Sequence, residues 1–285
     1  MSETRRQQTP MVPYPSGAFV PERDLGTMPV LECSHLGIDF GGLKAVDDFN
    51  VIMGKTEIGG LIGPNGAGKT TVFNLLTRVY QPTRGTMMLE GRDMGSMTTV
   101  DANKAGIART FQNIRLFDNM TVEENVRIGL HNQIRYGMFS GILRMPKYWK
   151  AEKKQHEEAL ELLNIFDMAS MADMRAGSLP YGAQRRLEIV RALATHPKLL
   201  LLDEPAAGMN PHETEELMDN IIRIRDQFQI AILLIEHDMN LVMGICEDIC
   251  VLNFGRIIAK GTPDEIQRNP AVIEAYLGKQ KEAQA

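Results

Sequence analysis

The sequence has few cysteines and no framework for disulfides. Its three cysteines, Cys33, Cys246 and Cys250, are sparse and odd in number, which argues against paired bridges. Cys246 and Cys250 have a helical spacing that would suit a metal, but no further ligands cluster near them in the sequence. We therefore expect buried thiols in a protein of a reducing compartment.

The sequence also lacks an excess of basic charge and long apolar runs. A net charge of −5 is not the basic character usual in dedicated nucleic-acid-binding domains. No apolar run approaches the roughly 18 residues that a membrane-spanning helix needs. The longest candidates, Leu199–Leu202 and Ile230–Ile235, have the length of strands. Nucleic acid is therefore not an expected partner, and work at a membrane would need partners that supply the membrane part.

The rest of the composition is that of an ordinary globular protein. Hydrophobic residues make up 44% and charged residues 24% of the 285 positions, so a sizeable core can form. Residues 1–29 are rich in proline, threonine, arginine and glutamine, which predicts a disordered N-terminal extension, with contact to a partner as the alternative. We expect one folded domain at residues 30–278 and a tail at 279–285.

Strand and helix patterns alternate along the folded part. The predicted strands are Leu31–Phe40, Ala45–Met53, Glu57–Gly63, Gly85–Glu90, Leu199–Leu202, Ile230–Glu236, Ile249–Asn253 and Arg256–Lys260. The predicted helices are Lys69–Val79, Asp101–Ala105, Val122–Leu130, Glu152–Phe166, Arg185–Thr195, His212–Asp226, Met239–Ile245, Pro263–Arg268 and Ala271–Leu277. This alternation predicts an α/β fold, interrupted by an inserted helical subdomain at about residues 113–180.

The segment Gly63–Thr70 matches the pattern G-x-x-x-x-G-K-[ST] of a P-loop. It follows an apolar strand and opens a predicted helix, so loop N–H groups and the helix N-terminus can attract phosphate charge. Lys69 is predicted to reach the β and γ phosphates of ATP, and the Thr70 hydroxyl to bind Mg²⁺. The predicted ATP-binding residues of this region are Gly63, Pro64, Asn65, Gly66, Ala67, Gly68, Lys69, Thr70 and Thr71.

An acidic pair follows the run of four leucines at Leu199–Leu202. Such a strand is buried on both faces, and its carboxyl end lies at the sheet edge where ligands bind in α/β folds. We expect Asp203 to hold Mg²⁺, directly or through water. We expect Glu204 to act as general base on the attacking water.

Three further features stand in a fixed order with these two. Gln112 ends the segment Arg109–Gln112, the signature segment Leu179–Gln184 precedes the acidic pair, and His237 follows the second buried strand. This order resembles that of the ABC-type ATPases over roughly residues 30–278. The resemblance implies a P-loop NTPase fold of the ABC ATPase type, with an antiparallel β subdomain beside the inserted helical one.

The chain is similar in more detail to the ATP-binding subunits of branched-chain amino-acid transporters. The segments that carry this resemblance are Phe40–Val46, Arg109–Gln112, Phe139–Gly141, Gln184–Glu188, Asp203–Asn210, Glu236–Met239 and Asn269–Gly278. Together they cover both halves of the predicted domain.

The resemblance implies roles for particular residues. Phe40 would stack on adenine, although an aromatic residue at a strand end is more often part of a core. Gln112 would contact Mg²⁺ and the γ-phosphate and link the site to the membrane partner. His237 would contact the γ-phosphate and orient the water. Asn210 would lie at a dimer interface, and groups around Gly182 would cover ATP held by the opposite subunit.

The signature segment departs from the family pattern at two positions. Pro180 stands where a serine or another small residue is usual, and proline has neither a hydroxyl nor an N–H. Ala183 stands where glutamine is usual. These departures predict a slow or asymmetric ATPase.

The function implied is ATP hydrolysis that powers an importer. The expected partners are transmembrane permease subunits, a second ABC ATPase of the same or another chain, and indirectly a periplasmic binding protein. The protein would lie on the cytoplasmic face of the inner membrane. Branched-chain amino acids are the expected cargo, with urea, amides or other amino acids left open. A soluble ABC ATPase of repair or translation is disfavoured, because those chains usually carry two ATPase units or a long coiled coil.

The permease is expected to contact a groove among residues 113–150. Tyr136, Phe139 and Trp149 are the candidate contacts, and the alternative is that these aromatic residues form the core of the helical subdomain.

Overall fold

A computed structural model describes residues 8–10, 22–24, 28–131 and 146–282. Its strands are β1 (Gln8–Pro10), β2 (Glu22–Asp24), β3 (Leu31–Phe40), β4 (Leu43–Met53), β5 (Ile58–Ile62), β6 (Arg84–Leu89), β7 (Arg92–Asp93), β8 (Ile107–Arg109), β9 (Leu199–Asp203), β10 (Ala231–Ile235), β11 (Asp248–Asn253) and β12 (Arg256–Gly261). Its helices are α1 (Lys69–Leu76), α2 (Thr99–Ala105), α3 (Val122–Leu130), α4 (Pro146–Ile165), α5 (Tyr181–Leu193), α6 (Pro211–Phe228), α7 (Met239–Ile245), α8 (Pro263–Arg268) and α9 (Pro270–Glu282).

The main sheet has six strands in the order β12-β11-β5-β10-β9-β8. β5, β8, β9, β10 and β11 run parallel, and β12 closes the edge antiparallel to β11. Every residue of β5, β9 and β10 is buried, as expected for apolar strands covered on both faces. The P-loop follows β5, Glu236 follows β10, and Asp203 is the last residue of β9, so all three lie at the same edge of the sheet.

The four leucines of β9 alternate between two hydrophobic cores. Leu199 and Leu201 belong to the core shared with α1 and a second, four-stranded antiparallel sheet of order β4-β3-β6-β7. Leu200 and Leu202 belong to the core shared with the helices on the opposite face. This layering confirms the α/β fold class and the antiparallel β subdomain.

The helical subdomain is built from α3, α4 and α5, which pack on one another. Thr121 caps α3 by accepting a hydrogen bond from the backbone N–H of Glu124, and the Glu124 side chain accepts one from the N–H of Thr121. Trp149 is 59% exposed, so it is not part of the subdomain core. Tyr136 and Phe139, the other predicted permease contacts, lie outside the described residues.

Several element boundaries differ from the prediction. The helix predicted at Lys69–Val79 ends at Leu76, because Arg78 adopts a left-handed conformation with φ of 59°. Pro180 is the N-cap of α5, which starts earlier than expected. The sequence did not indicate β7 or β8. The helical spacing inferred for Cys246 and Cys250 is wrong, because Cys246 ends α7 and Cys250 lies in β11.

The cysteines are free and buried, as expected. Burial raises the pKa of Cys33 and of Cys250 to about 12, so both are unreactive thiols at neutral pH.

Both chain ends contain secondary structure beyond the predicted limits of the folded domain. β1 and β2 pair antiparallel inside the predicted N-terminal extension, whose other residues up to 27 lie outside the described part. α9 continues to Glu282, past the predicted domain end at Gly278. Among the described residues, no helix combines the length and apolarity needed to cross a bilayer.

Candidate ATP site

The P-loop connects β5 to α1 in a backbone conformation that requires glycine. A Cβ atom on Gly63 would lie 2.0 Å from the carbonyl oxygen of Leu252, and one on Gly68, whose φ is 104°, would lie 2.8 Å from that of Ala45. α1 starts at Lys69 without a side-chain cap. Its first N–H groups are thus left for an anion, as phosphate binding at this position requires.

The ammonium group of Lys69 lies within the curve of the loop. It donates hydrogen bonds to the carbonyl oxygens of Gly63 at 2.6 Å and Pro64 at 3.1 Å, and the residue is only 7% exposed. The residues exposed around it are Asn65, Gly66 and Thr70, and Thr71 is half-buried. The loop therefore presents its backbone and a confined positive charge to the same space.

Two distant segments brace the loop, and the sequence did not indicate either contact. The N–H of Gly255, in the turn between β11 and β12, donates to the carbonyl oxygen of Ala67 at 2.8 Å. On α9, burial raises the pKa of Tyr276, and the nearby backbone of Gly63 partly offsets this shift. The last helix thus touches the first residue of the P-loop.

Asp203 ends β9 in a buried ion pair. Its Oδ2 lies 2.7 Å from Nη2 of Arg109, and the two side chains are 5% and 6% exposed. Arg109 Nη1 also donates to Oδ1 of Asn74 at 2.7 Å. The sequence placed Arg109 in the segment Arg109–Gln112, but nothing in it predicted the pairing of Arg109 with Asp203.

Glu204, Gln112 and His237 come together although they are far apart in the chain. Gln112 Nε2 donates to one carboxylate oxygen of Glu204 at 2.9 Å, and His237 Nε2 lies 3.0 Å from the other. Glu204 has a left-handed backbone with φ of 49°, which is uncommon outside glycine and is often found at functional sites. The arrangement holds the carboxylate of Glu204 from both sides.

Glu236 contacts the backbone on both sides of this cluster and was not among the predicted site residues. It is 4% exposed and accepts hydrogen bonds from the N–H groups of Ala206 at 2.8 Å and His237 at 2.9 Å. Burial raises the pKa of Glu236. Its position directly after an apolar strand and before His237 could have indicated that Glu236 belongs to the site.

Phe40 lies on the surface at the end of β3 and is 44% exposed. Its ring meets that of Tyr80 edge to face, with centroids 5.2 Å apart. Phe40 is therefore not a core residue, and its exposed ring can accept a stacked base.

The signature segment leads into α5. Gly182 packs so closely on α6 that a Cβ atom would lie 2.9 Å from Oε1 of Glu213. Asn210 caps α6, and its Oδ1 accepts a hydrogen bond from the N–H of Glu213 at 3.0 Å. Ala183 is 3% exposed and belongs to the hydrophobic core, so a glutamine there would bury an amide among apolar side chains.

The position of Pro180 allows a direct test of the predicted slow turnover. We expect Pro180→Ser to raise hydrolysis by the assembled ATPase severalfold, up to about tenfold, because it restores one N–H and one hydroxyl at the start of α5. Steady-state ATPase assays of the complex measure this. Ser178→Ala, which removes a hydroxyl that donates to Arg175 O at 2.7 Å, is the control. An unchanged rate in Pro180→Ser would contradict the role assigned to proline.

The residues expected to hold Mg²⁺ have suitable chemistry. Thr70, Gln112 and Asp203 supply a hydroxyl, an amide oxygen and a carboxylate, the hard oxygen ligands that Mg²⁺ prefers beside substrate phosphates. Among the described residues, no group of three His, Cys, Asp or Glu side chains could hold a metal by itself. The donor types of Thr70, Gln112 and Asp203 therefore suit Mg²⁺.

Comparison with known sequences agrees with this geometry. Residues 46–207 match the ABC transporter family model, and residues 256–282 match that of the branched-chain amino acid ATP-binding cassette transporter. The high-affinity branched-chain amino acid transport ATP-binding protein LivG of Escherichia coli K12 is 47% identical over 88% of this chain and 99% of its own length. Its counterpart BraF of Pseudomonas aeruginosa is 45% identical over 88% and 98%.

Solved structures give the same result. An ATP-binding cassette of an ABC transporter in its ADP conformation has a TM-score of 0.77 and 30% identity, covering 88% of this chain and 100% of that one. A nucleotide-free cassette has a TM-score of 0.76 and 30% identity, covering 87% and 99%. Hence the chain belongs to the ABC transporter ATPases, in the family of branched-chain amino-acid ATP-binding subunits.

Proposed function

We propose that this ABC-type ATPase powers the import of branched-chain amino acids from the cytoplasmic face of a membrane. The observation that carries the proposal is the similarity to LivG, which extends over 99% of that protein, together with the match at 256–282. That second match covers α8 and α9, including Tyr276 beside the P-loop.

In the proposed site, the P-loop backbone and Lys69 bind the phosphates of ATP, and Phe40 stacks on the adenine. Mg²⁺, held by Thr70, Gln112 and Asp203, would neutralise charge on the β and γ phosphates. The Lys69 ammonium leaves the carbonyl oxygens of Gly63 and Pro64 when phosphate offers a stronger partner.

Glu204 is the proposed general base, which accepts a proton from the attacking water. Gln112 and His237 bind its two oxygens, at 2.9 and 3.0 Å, and so fix the carboxylate plane. His237 can turn from Glu204 to the γ-phosphate when ATP is bound. Glu236 holds the backbone of His237 and thereby limits where the imidazole can lie.

Hydrolysis is proposed to need a second ABC ATPase subunit. The signature segment of each chain, with Gly182 at its centre, would cover the ATP held by the P-loop of the other. Asn210 caps α6 against this segment and lies at the proposed interface. ATP binding would then close the pair, and hydrolysis would reopen it.

We propose that the permease contacts an apolar groove beside the Gln112 loop, which we call the α1–α2 groove. It is lined by Thr77, Val79, Thr99, Val100, Ala102, Asn103, Ile107, Arg109 and Phe111. Val79 and Val100 are 51% and 62% exposed, and Phe111 directly precedes Gln112. An amphipathic segment of a permease in this groove would therefore adjoin the ATP site, at an earlier part of the chain than the predicted 113–150.

A charge in the α1–α2 groove is expected to prevent assembly. Val100→Glu should reduce co-purification with detergent-extracted permease subunits at least about tenfold, because burying an unpaired carboxylate costs several kcal/mol. ATP binding by the isolated subunit should be unchanged. The control is Ile273→Glu, since Ile273 is 43% exposed on α9, which packs beside β12 at the opposite edge of the main sheet. Normal assembly of Val100→Glu would exclude the groove as the contact.

The cargo is tested in the reconstituted transporter with its periplasmic binding protein. Leucine, isoleucine or valine should stimulate ATP hydrolysis and be taken up into vesicles. Stimulation by urea or an amide alone would contradict the proposed cargo while leaving the ATPase assignment intact.

A further inference from the structure

Arg185 on α5 is buried and joins two segments of the proposed machinery. Its Nη1 donates to the carbonyl oxygen of Phe111 at 2.7 Å, and its Nη2 donates to that of Gln112. Nη2 and Nε also donate to the hydroxyl of Tyr181, at 2.9 and 3.2 Å. With the residue only 3% exposed, these contacts are shielded from water. One guanidinium thus binds both the signature segment and the Gln112 loop.

The rest of α5 extends the same connection along the loop. Glu188 Oε1 accepts a hydrogen bond from the N–H of Arg115 at 3.3 Å, and Glu188 Oε2 lies 3.5 Å from Nη1 of Arg185. Arg191 Nη1 donates to the carbonyl oxygen of Arg115 at 2.5 Å. Main-chain atoms of residues 111, 112 and 115 are therefore all held by α5, and a shift of this helix would move the loop with it.

We propose that Arg185 is a positioning residue that couples the two ATP sites of the assembled transporter. Its helix begins in the signature segment, which serves the ATP of the opposite subunit. Its guanidinium holds the backbone of Gln112, whose side chain binds Glu204 in this subunit's own site. Closure of the signature segment on one ATP thereby sets the position of the general base at the other. This inference rests on the roles proposed for Gln112, Glu204 and the signature segment.

The geometry requires arginine rather than any cation. A guanidinium is planar and carries five N–H donors, so it can bind two successive carbonyl oxygens and a hydroxyl together. A lysine ammonium keeps the charge that compensates Glu188 but cannot span the same set of acceptors in one plane. Arg185→Lys therefore removes the connection while leaving the charge in place.

The test compares Arg185→Lys with the same substitution at an exposed arginine in the reconstituted transporter. Arg223 also ties a helix to a main-chain oxygen, donating from α6 to Ile165 at 3.2 Å, but it does not contact the Gln112 loop in the described structure. We expect Arg185→Lys to lower kcat for ATP at least about tenfold while KM and ATP binding by the isolated subunit stay near wild type. Loss of buried hydrogen bonds should lower Tm by several degrees but leave the subunit folded at the assay temperature. Arg223→Lys should leave kcat and KM unchanged.

A second measurement tests the role of Arg185 without an activity assay. Hydrogen exchange in the full chain should be faster at residues 111–115 in Arg185→Lys than in wild type, and equal in the P-loop. A wild-type kcat in Arg185→Lys, or a loss of kcat that is fully accounted for by the fraction of unfolded subunit at the assay temperature, would overturn the inference. A wild-type complex that hydrolyses no ATP would instead overturn the proposed function on which it rests.

Discussion

Glu204→Gln is expected to reduce ATP hydrolysis about a thousandfold, within the range for loss of a positioned general base, and to leave ATP binding intact. Glutamine has the size of glutamate but cannot take a proton from water at neutral pH. In the structure the Glu204 carboxylate accepts a hydrogen bond from Gln112 and pairs with His237. The amide of a glutamine can keep one of these contacts; the other is lost or has the amide as its donor. The P-loop, which is the proposed phosphate-binding segment, is not changed by the substitution.

The measurement combines three assays on the same preparation. The ATPase rate should fall, and the affinity for nucleotide should stay within about threefold of the wild-type value. MgATP should shift the subunit to a stable dimer on size exclusion, because the closed pair reopens only after hydrolysis. Glu247→Gln is the control, since Glu247 pairs with Arg225 at the surface, between α6 and β11. Full turnover in Glu204→Gln would remove Glu204 as general base.

This cluster is the part of the site that the sequence predicted best, for a physical reason. Glu204 and His237 follow two apolar strands, β9 and β10, that are neighbours and parallel in the main sheet. Parallel strands bring their carboxyl ends to one edge of the sheet. Residues that directly follow neighbouring strands therefore lie close together in the fold. The P-loop motif was predictable in the same way, because it directly follows β5.

The partners of the buried arginines were not predictable. Arg109 and Arg185 were both visible in the motifs, but no local pattern states that one binds Asp203 and the other the carbonyl oxygens of Phe111 and Gln112. Such pairings depend on how helices and strands pack. The strand β8 was not predicted for a related reason. It has three residues, too few for a periodic pattern, and it becomes a strand through its pairing with β9.

Arg109→Met is expected to lower the free energy of unfolding by about 3 to 5 kcal/mol, the usual cost of removing one partner of a buried ion pair. Methionine fills much of the same space, so the loss reflects the charge left on Asp203 more than a cavity. Arg109 also lies over the rings of Phe73 and Phe111, at 5.4 and 5.3 Å from their centroids, and these contacts add a smaller cation–π contribution.

A double-mutant cycle measured by urea denaturation of the isolated subunit separates these contributions. Asp203→Asn removes the charge that Arg109 compensates, so the double variant Arg109→Met with Asp203→Asn should recover at least about half of the loss. Arg225→Met, which breaks the surface pair with Glu247, should cost less than about 1 kcal/mol. If Arg109→Met cost no more than Arg225→Met, water would have to reach Asp203. The carboxylate assigned to Mg²⁺ would then be held in place by its strand alone, and the ion pair would have no part in shaping the site.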